Sequence, residues 1–178
     1  MSRLITKYLL TSNYLNQVSM PRGHFTLKDH GSLPLVMVAA GIGLTPIISM
    51  IDFLAKSSNR NPDQVIKCIQ VERSPEEHSM KNHIDNLAEQ RLLTEAHVFY
   101  TRNSGEGREL QNTTIHSGRL SIDSIKSIAG KELHDAEFYF CGPGGFMNSF
   151  EEMLDALEVP TSRRHSERFG PELAGNPK

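Results

Sequence analysis

The sequence predicts an α/β domain, a Rossmann-like three-layer unit built on a five-stranded parallel sheet. Three observations carry that prediction. Leu35 to Val38 is an unbroken apolar run, as a strand covered on both faces requires. Glycines follow two strand ends, Gly41 and Gly43 after the first and Gly142, Gly144 and Gly145 after a later one. Beyond each set, apolar residues recur at helical spacing: Ile47, Ile48, Ile51 and Leu54, then Phe146, Phe150, Met153, Leu154 and Leu157.

The chain has 178 residues, with 38% hydrophobic content and a net charge of −2, which suits one domain or one domain with an appendage. That charge gives no argument for nucleic acid or an anionic surface. No apolar run is long enough to span a membrane, and no secretory h-region opens the chain. Cys68 and Cys141 lie far apart in predicted strands, so reduced thiols and a cytoplasmic location are expected. The eight histidines show no metal-binding spacing.

Residues 1–31 do not read as part of the α/β unit. Leu4, Ile5, Tyr8 and Leu9 suit a short helix, and Gln17 to Met20 a short strand. On residues alone this is an arm packed on the sheet. His30 to Pro34 is a linker with breakers at Gly31 and Pro34. The first strand then runs into Gly41, Gly43, Thr45 and Pro46. Pro46 suits a first helical turn, where a missing N–H costs nothing. Glycines permit positive φ and let a bulky anion approach, and the helix start offers free N–H groups. The last glycine of the GxGxxG fingerprint is absent, with Pro46 in its place.

Val65 to Val71 is the second strand, with Cys68 as plain core. Pro75 is expected to start a helix with Met80, Ile84, Leu87 and Ala88 on its apolar stripe. The loop between them holds Glu72 and Arg73. An acid there can accept from a ribose 2′-OH and an arginine can pair a 2′-phosphate, so either nucleotide is open; solvated charges are the plain alternative. Arg102, after a third strand at Ala96–Thr101, can also reach a phosphate. Residues 102–118 read as a long polar loop. A short helix follows, with Ser121 as its N-cap and Ile125 and Ile128 inward.

Glu137 to Cys141 is the fourth strand, and Gly142, Pro143 and Gly145 open the next helix. Ligands of open α/β sheets bind at carboxyl ends of strands, so the two glycine-bearing ends point to one crevice. Arg163 to Ser166 is a polar edge strand, and 172–178 a loose tail.

AGIGLTP, then YFCGPGGFM, then ERFGP resembles the pyridine-nucleotide domain of the ferredoxin–NADP reductase superfamily, above all the reductase portion of flavohaemoglobins and of oxygenase reductases. The motifs stand in that family's order, from about Leu4 to Pro171. The resemblance implies a nucleotide domain at 32–171 with sheet order 3-2-1-4-5. Residues 1–31 then resemble the end of an antiparallel flavin-binding β-barrel, although the family's R-x-Y-[ST] motif has no counterpart here.

The reaction implied is hydride transfer from NADH or NADPH to FAD, with NADH favoured by resemblance. Electrons would pass to a haem or iron–sulfur partner. FAD would bind only if the barrel is completed, for instance by a separate flavin-barrel polypeptide. Thr45, Cys141 and Glu167 would stand at the reacting rings and Phe169 would cover the flavin. Phe146 and Met147 belong to the implied nucleotide site. The alternatives are a nucleotide-binding module without flavin and a truncated fragment, inactive without a partner.

Overall fold

A computed structural model describes residues 25–28, 31–57, 61–102 and 110–169. The expected barrel remnant and tail fall almost wholly outside the described residues. Residues 25–28 carry no regular secondary structure.

The elements alternate as the sequence patterns require. β1 (Leu35–Ala40) leads through a 3₁₀ turn, Gly41–Gly43, into α1 (Leu44–Lys56). β2 (Ile66–Glu72), α2 (Lys81–Glu89), β3 (Glu95–Tyr100) and β4 (Thr114–Ser117) follow. α3 (Ile122–Ala129), β5 (Glu137–Pro143), α4 (Gly144–Ala156) and β6 (Arg164–Phe169) complete the domain. All strand pairs are parallel, in the order β4-β3-β2-β1-β5-β6. The predicted order 3-2-1-4-5 is therefore present with one strand added outside it.

That added strand corrects the five-strand expectation. Thr114–Ser117 lies within the stretch expected to be loop, because its mixed Thr-Ile-His-Ser pattern carries little apolar signal. It pairs with β3 along one edge only. Residues on it are half-buried or exposed, as an edge strand allows. The second correction concerns Pro75. The helix starts at Lys81, not at Pro75, and Met80 before it adopts a left-handed φ of 53°. Ser121 caps α3 as expected, accepting from the Ser124 N–H at 3.2 Å.

Two apolar layers cover the sheet. Leu35, Met37, Ala39, Cys68, Tyr139 and Cys141 face α1 and α2. Val36, Val38, Ile69, Phe138 and Phe140 face α3 and α4. The alternation of period two along each strand assigns every residue to one layer. It also decides which side chains at the carboxyl end can meet a ligand. Among the described residues no helix is long and apolar enough to cross a membrane.

Candidate functional site

The carboxyl ends of β1 and β5 are locked together at one point. A Cβ on Gly43 would lie 2.1 Å from the Cys141 carbonyl oxygen, so only glycine lets the β1 turn close onto β5. Gly41 takes φ of +52°, the left-handed region that glycine adopts without strain. The helical stretch that begins there has no side-chain cap at its start. Neither has α4, which begins directly after Pro143. Added Cβ atoms on Gly144 and Gly145 would meet nothing within 4 Å. Two helix starts without side-chain caps thus stand side by side at one end of the sheet, and such starts favour anions.

Beside them lies an open cleft of about 320 Å³ on the α3–α4 face. Ala40, Val71, Phe146 and Phe150 give it apolar walls, while Thr101, Arg119 and Ser149 bring polar groups. The mix of apolar floor, two polar side chains and one cation suits a nucleotide.

The register of β5 with β6 adds a third strand end. Cys141 pairs with Glu167 and Pro143 with Phe169. Cys141 is fully buried, and burial together with the Glu167 charge pushes its thiol up to about 11. It is therefore a neutral wall rather than a nucleophile. Glu167 and Phe169 are exposed. Thr45 is exposed too, and its hydroxyl donates to the Ile42 carbonyl at 3.0 Å, tying the turn together.

Gly41, Gly43, Thr45, Cys141, Gly142, Pro143, Gly145, Glu167 and Phe169 thus come from three adjacent strand ends. Phe146 lines the cleft, whereas Met147 is fully buried in the α3–α4 layer. Pro46 faces Phe25 and Leu27 across the first turn of α1. Arg73 and Arg102 stand exposed at the ends of β2 and β3, joined by the Arg102 N–H donating to the Arg73 carbonyl at 2.9 Å. Glu72 is buried on the opposite face of the sheet, toward α2. Arg119, which was not among the candidate site residues read from the sequence, lines the cleft. Its placement follows from β4, the strand that sequence patterning missed. Among the described residues no group of His, Cys, Asp and Glu could hold a metal ion.

The chain matches the model of the oxidoreductase NAD-binding domain over residues 37–152. It is 33% identical over 156 residues to a flavohemoprotein of Deinococcus radiodurans, covering 86% of this chain and 36% of that protein. A flavohemoprotein of Halalkalibacterium halodurans is 31% identical over 173 residues, covering 91% of this chain and 40% of that protein. The chain therefore spans about two fifths of the curated relatives it matches. A solved flavohem-like FAD/NAD binding domain of a nitric oxide dioxygenase from Vibrio cholerae superposes with a TM-score of 0.71 at 27% identity. That superposition covers 85% of this chain and 56% of that one. The Amycolatopsis cytochrome P450 reductase GcoB, at TM-score 0.67 and 17% identity, shares the fold over 85% of this chain and 43% of that one.

Proposed function

Since this chain belongs to the family of oxidoreductase NAD-binding domains, we propose that it is the NAD(P)H-binding part of a flavin reductase. It binds the nucleotide across the carboxyl ends of β1, β5 and β6. It presents the nicotinamide to an FAD that a neighbouring flavin barrel helps to hold. Electrons then leave for a haem or iron–sulfur acceptor. The likeness to flavohemoproteins over most of this chain supports a reductase rather than a bare binding module. The observation that carries the reading is the pair of uncapped helix starts meeting beside the Gly43–Cys141 contact.

The residues present fit a dinucleotide. Gly144 and Gly145, where an added side chain would meet nothing within 4 Å, open an uncapped helix whose first N–H groups would hold the pyrophosphate. Phe146 and Val71 would pack against the adenosine half, and Arg119 would balance phosphate charge. When bound, the nucleotide supplies a hydride and the flavin accepts it; this chemistry belongs to the cofactors. The protein's task is to position the rings and keep water out. Cys141 gives a small, neutral, buried wall. Phe169, exposed at the end of β6, offers a ring to cover the flavin, and Glu167 sets a negative charge beside it.

The test is NADH- and NADPH-dependent ferricyanide reduction by the purified chain, with and without FAD and a separately supplied flavin-barrel polypeptide. FAD-dependent turnover is expected. A folded protein that neither turns over nor binds either nucleotide in titration overturns the reading.

A further inference from the structure

The edge strand β4 has the least to hold it, and it delivers Arg119 to the cleft directly after Gly118. It is 4 residues long and pairs with β3 alone. Side-chain ties therefore matter more here than in the middle of the sheet. At its head, Asp85 Oδ1 of α2 accepts from the Asn112 N–H at 2.9 Å and the Thr113 hydroxyl at 3.0 Å. At its tail, the Gly118 N–H donates to the Tyr100 carbonyl at 2.9 Å. Within the strand, the His116 ring lies flat on Phe99, with centroids 4.3 Å apart. His116 Nε2 also stands 3.0 Å from His97 Nδ1. His97, Phe99 and Thr101 alternate onto the α3–α4 face, so this pair of imidazoles shares a face with the cleft that Thr101 and Arg119 line. The register sets Phe99 beside His116 and Tyr100 beside Ser117, a short step from Arg119.

The protons of this pair can be placed. His97 is 8% exposed, and its Nε2 lies 3.1 Å from Glu95 Oε2. Burial works against the Glu95 charge, but hydrogen bonds from Lys67 and His97 hold its carboxyl below the ordinary range. A carboxylate only accepts, so His97 Nε2 carries a proton. In a neutral His97 the Nδ1 then accepts from the His116 Nε2–H. One added proton still fits: a charged His97 donates from Nδ1 to a His116 whose own proton has moved to Nδ1. A second does not fit. With both rings charged, two donors face each other at 3.0 Å and like charges meet away from bulk water. Among the described residues, the charged groups facing the pair are Glu95 from β3, Lys67 from β2 and Glu132 from the turn Gly130–His134. α3 contributes a neutral group, the Ile128 carbonyl, which accepts from Lys67 at 2.7 Å. Burial and the charge of His97 push the His116 imidazole below its ordinary value, so the doubly charged state belongs to acid.

We propose that His97 and His116 are positioning residues for Arg119: their hydrogen bond fastens β4 so that Arg119 stands in the cleft to meet a nucleotide phosphate, and charging both rings releases it. The inference rests on the nucleotide-binding reading above and deepens it. It gives the phosphate site a dependence on acid that Arg119 itself, always charged, cannot have.

The experiment is calorimetric titration of the purified chain with ADP-ribose, from about pH 7.5 down to about pH 5, the range in which imidazoles charge. The phosphates of this probe stay ionised throughout, and it needs neither flavin nor turnover. Affinity of the unmodified chain should fall about five- to tenfold across the range, up to the loss expected of Arg119→Ala. His116→Gln keeps a donor toward His97 Nδ1 but cannot be charged, so its affinity should fall less than about twofold in acid. His116→Leu offers no donor; it should bind at least about threefold more weakly than His116→Gln at the upper pH and be equally flat. Asp85→Ala loosens β4 without touching the rings, and should weaken binding about threefold while the acid loss persists. His97→Gln, which can accept from the His116 Nε2–H, takes the place of His116→Gln if that variant does not fold.

NMR of the ring carbons, without any nucleotide, should show His97 and His116 titrating in two separate steps, the second below the ordinary imidazole value. Independent titration of the two rings overturns the proposal. So does an affinity of the unmodified chain that is flat in acid, or one that rises because added charge draws in the anion. An acid loss that survives removal of either imidazole overturns it as well. Each of these leaves the nucleotide reading standing. Failure of the unmodified chain to bind ADP-ribose at any pH removes the nucleotide reading itself, and the proposal with it.

Discussion

The two faces of the sheet at its carboxyl end are built from neighbouring residues and do opposite things. On the α3–α4 side, Val71, Thr101 and Phe146 border open space, and Arg119 lines it with them. On the α1–α2 side, Glu72, Tyr100 and His78 close on one another with each donor matched to an acceptor. Val71 and Glu72 are adjacent in sequence, as are Tyr100 and Thr101. Strand alternation alone sends one to each face. Residue type does not tell which polar group reads a ligand and which one holds a loop; register does.

The largest expected effect comes from removing the seam between the faces. Gly43→Ala would place a Cβ 2.1 Å from the Cys141 carbonyl oxygen, against backbone that cannot swing aside. It should cost at least ~3 kcal/mol of stability or prevent folding. Gly144→Ala, with nothing within 4 Å of the new atom, should change stability by less than ~0.5 kcal/mol. Urea unfolding of the pair measures both. Equal losses would show that the close contact is not what makes glycine necessary at position 43.

The next pair sets the closed face against the open one. Gln70→Leu leaves the His78 Nε2–H, the Ser79 carbonyl and Glu72 without their partner, and should cost about 2–3 kcal/mol. Arg119→Ala, on the open face, should leave the unfolding midpoint nearly unchanged while weakening nucleotide affinity about tenfold. If Arg119→Ala unfolds the protein and spares binding, the division between the faces is wrong.

A smaller effect concerns acid. His78 titrates near 4 in the folded protein against 6.5 ordinarily, so between those values the unfolded chain binds the extra proton. Stability that the neutral ring contributes is complete above pH 6.5 and is lost as pH falls toward 4, by about 2 kcal/mol after solvent screening. Burial raises the Glu72 carboxyl, which works in the opposite direction over part of that window. The His78 contribution is therefore the difference between the pH–stability curves of the unmodified chain and His78→Gln. Parallel curves would show that the ring does not resist protonation.

Much of this architecture was legible in the sequence. The apolar run of β1, the helical spacing of α1 and α4 and the glycines after β1 and β5 each followed from local chemistry. β4 escaped because an edge strand needs only one partner and no apolar face. The delayed start of α2 escaped because Pro75 fits a turn as readily as a helix start, and the Gln70–Ser79 tether that shapes this turn is a tertiary contact. The same limit applied to the site. Glu72 and Arg73 looked like equal candidates for the ribose, and nothing local shows that Glu72 ends on the far face of the sheet, where it takes the Gln70 amide.

Thr45 gives the smallest effect on stability and the finest test of the open face. Its hydroxyl donates to the Ile42 carbonyl from an exposed position, so that bond lies in water on one side. Thr45→Ala should cost no more than ~0.5 kcal/mol of stability. If the hydroxyl serves only that turn, nothing else should change. If it also stands beside the nicotinamide, the completed flavin enzyme should lose about three- to tenfold in hydride transfer with little change in nucleotide affinity, because an orienting contact counts at the transition state more than in the bound ground state. Stopped-flow flavin reduction under saturating nucleotide separates the two. A rate unchanged by the substitution confines Thr45 to the turn and moves the nicotinamide contact to Cys141 and the end of β6.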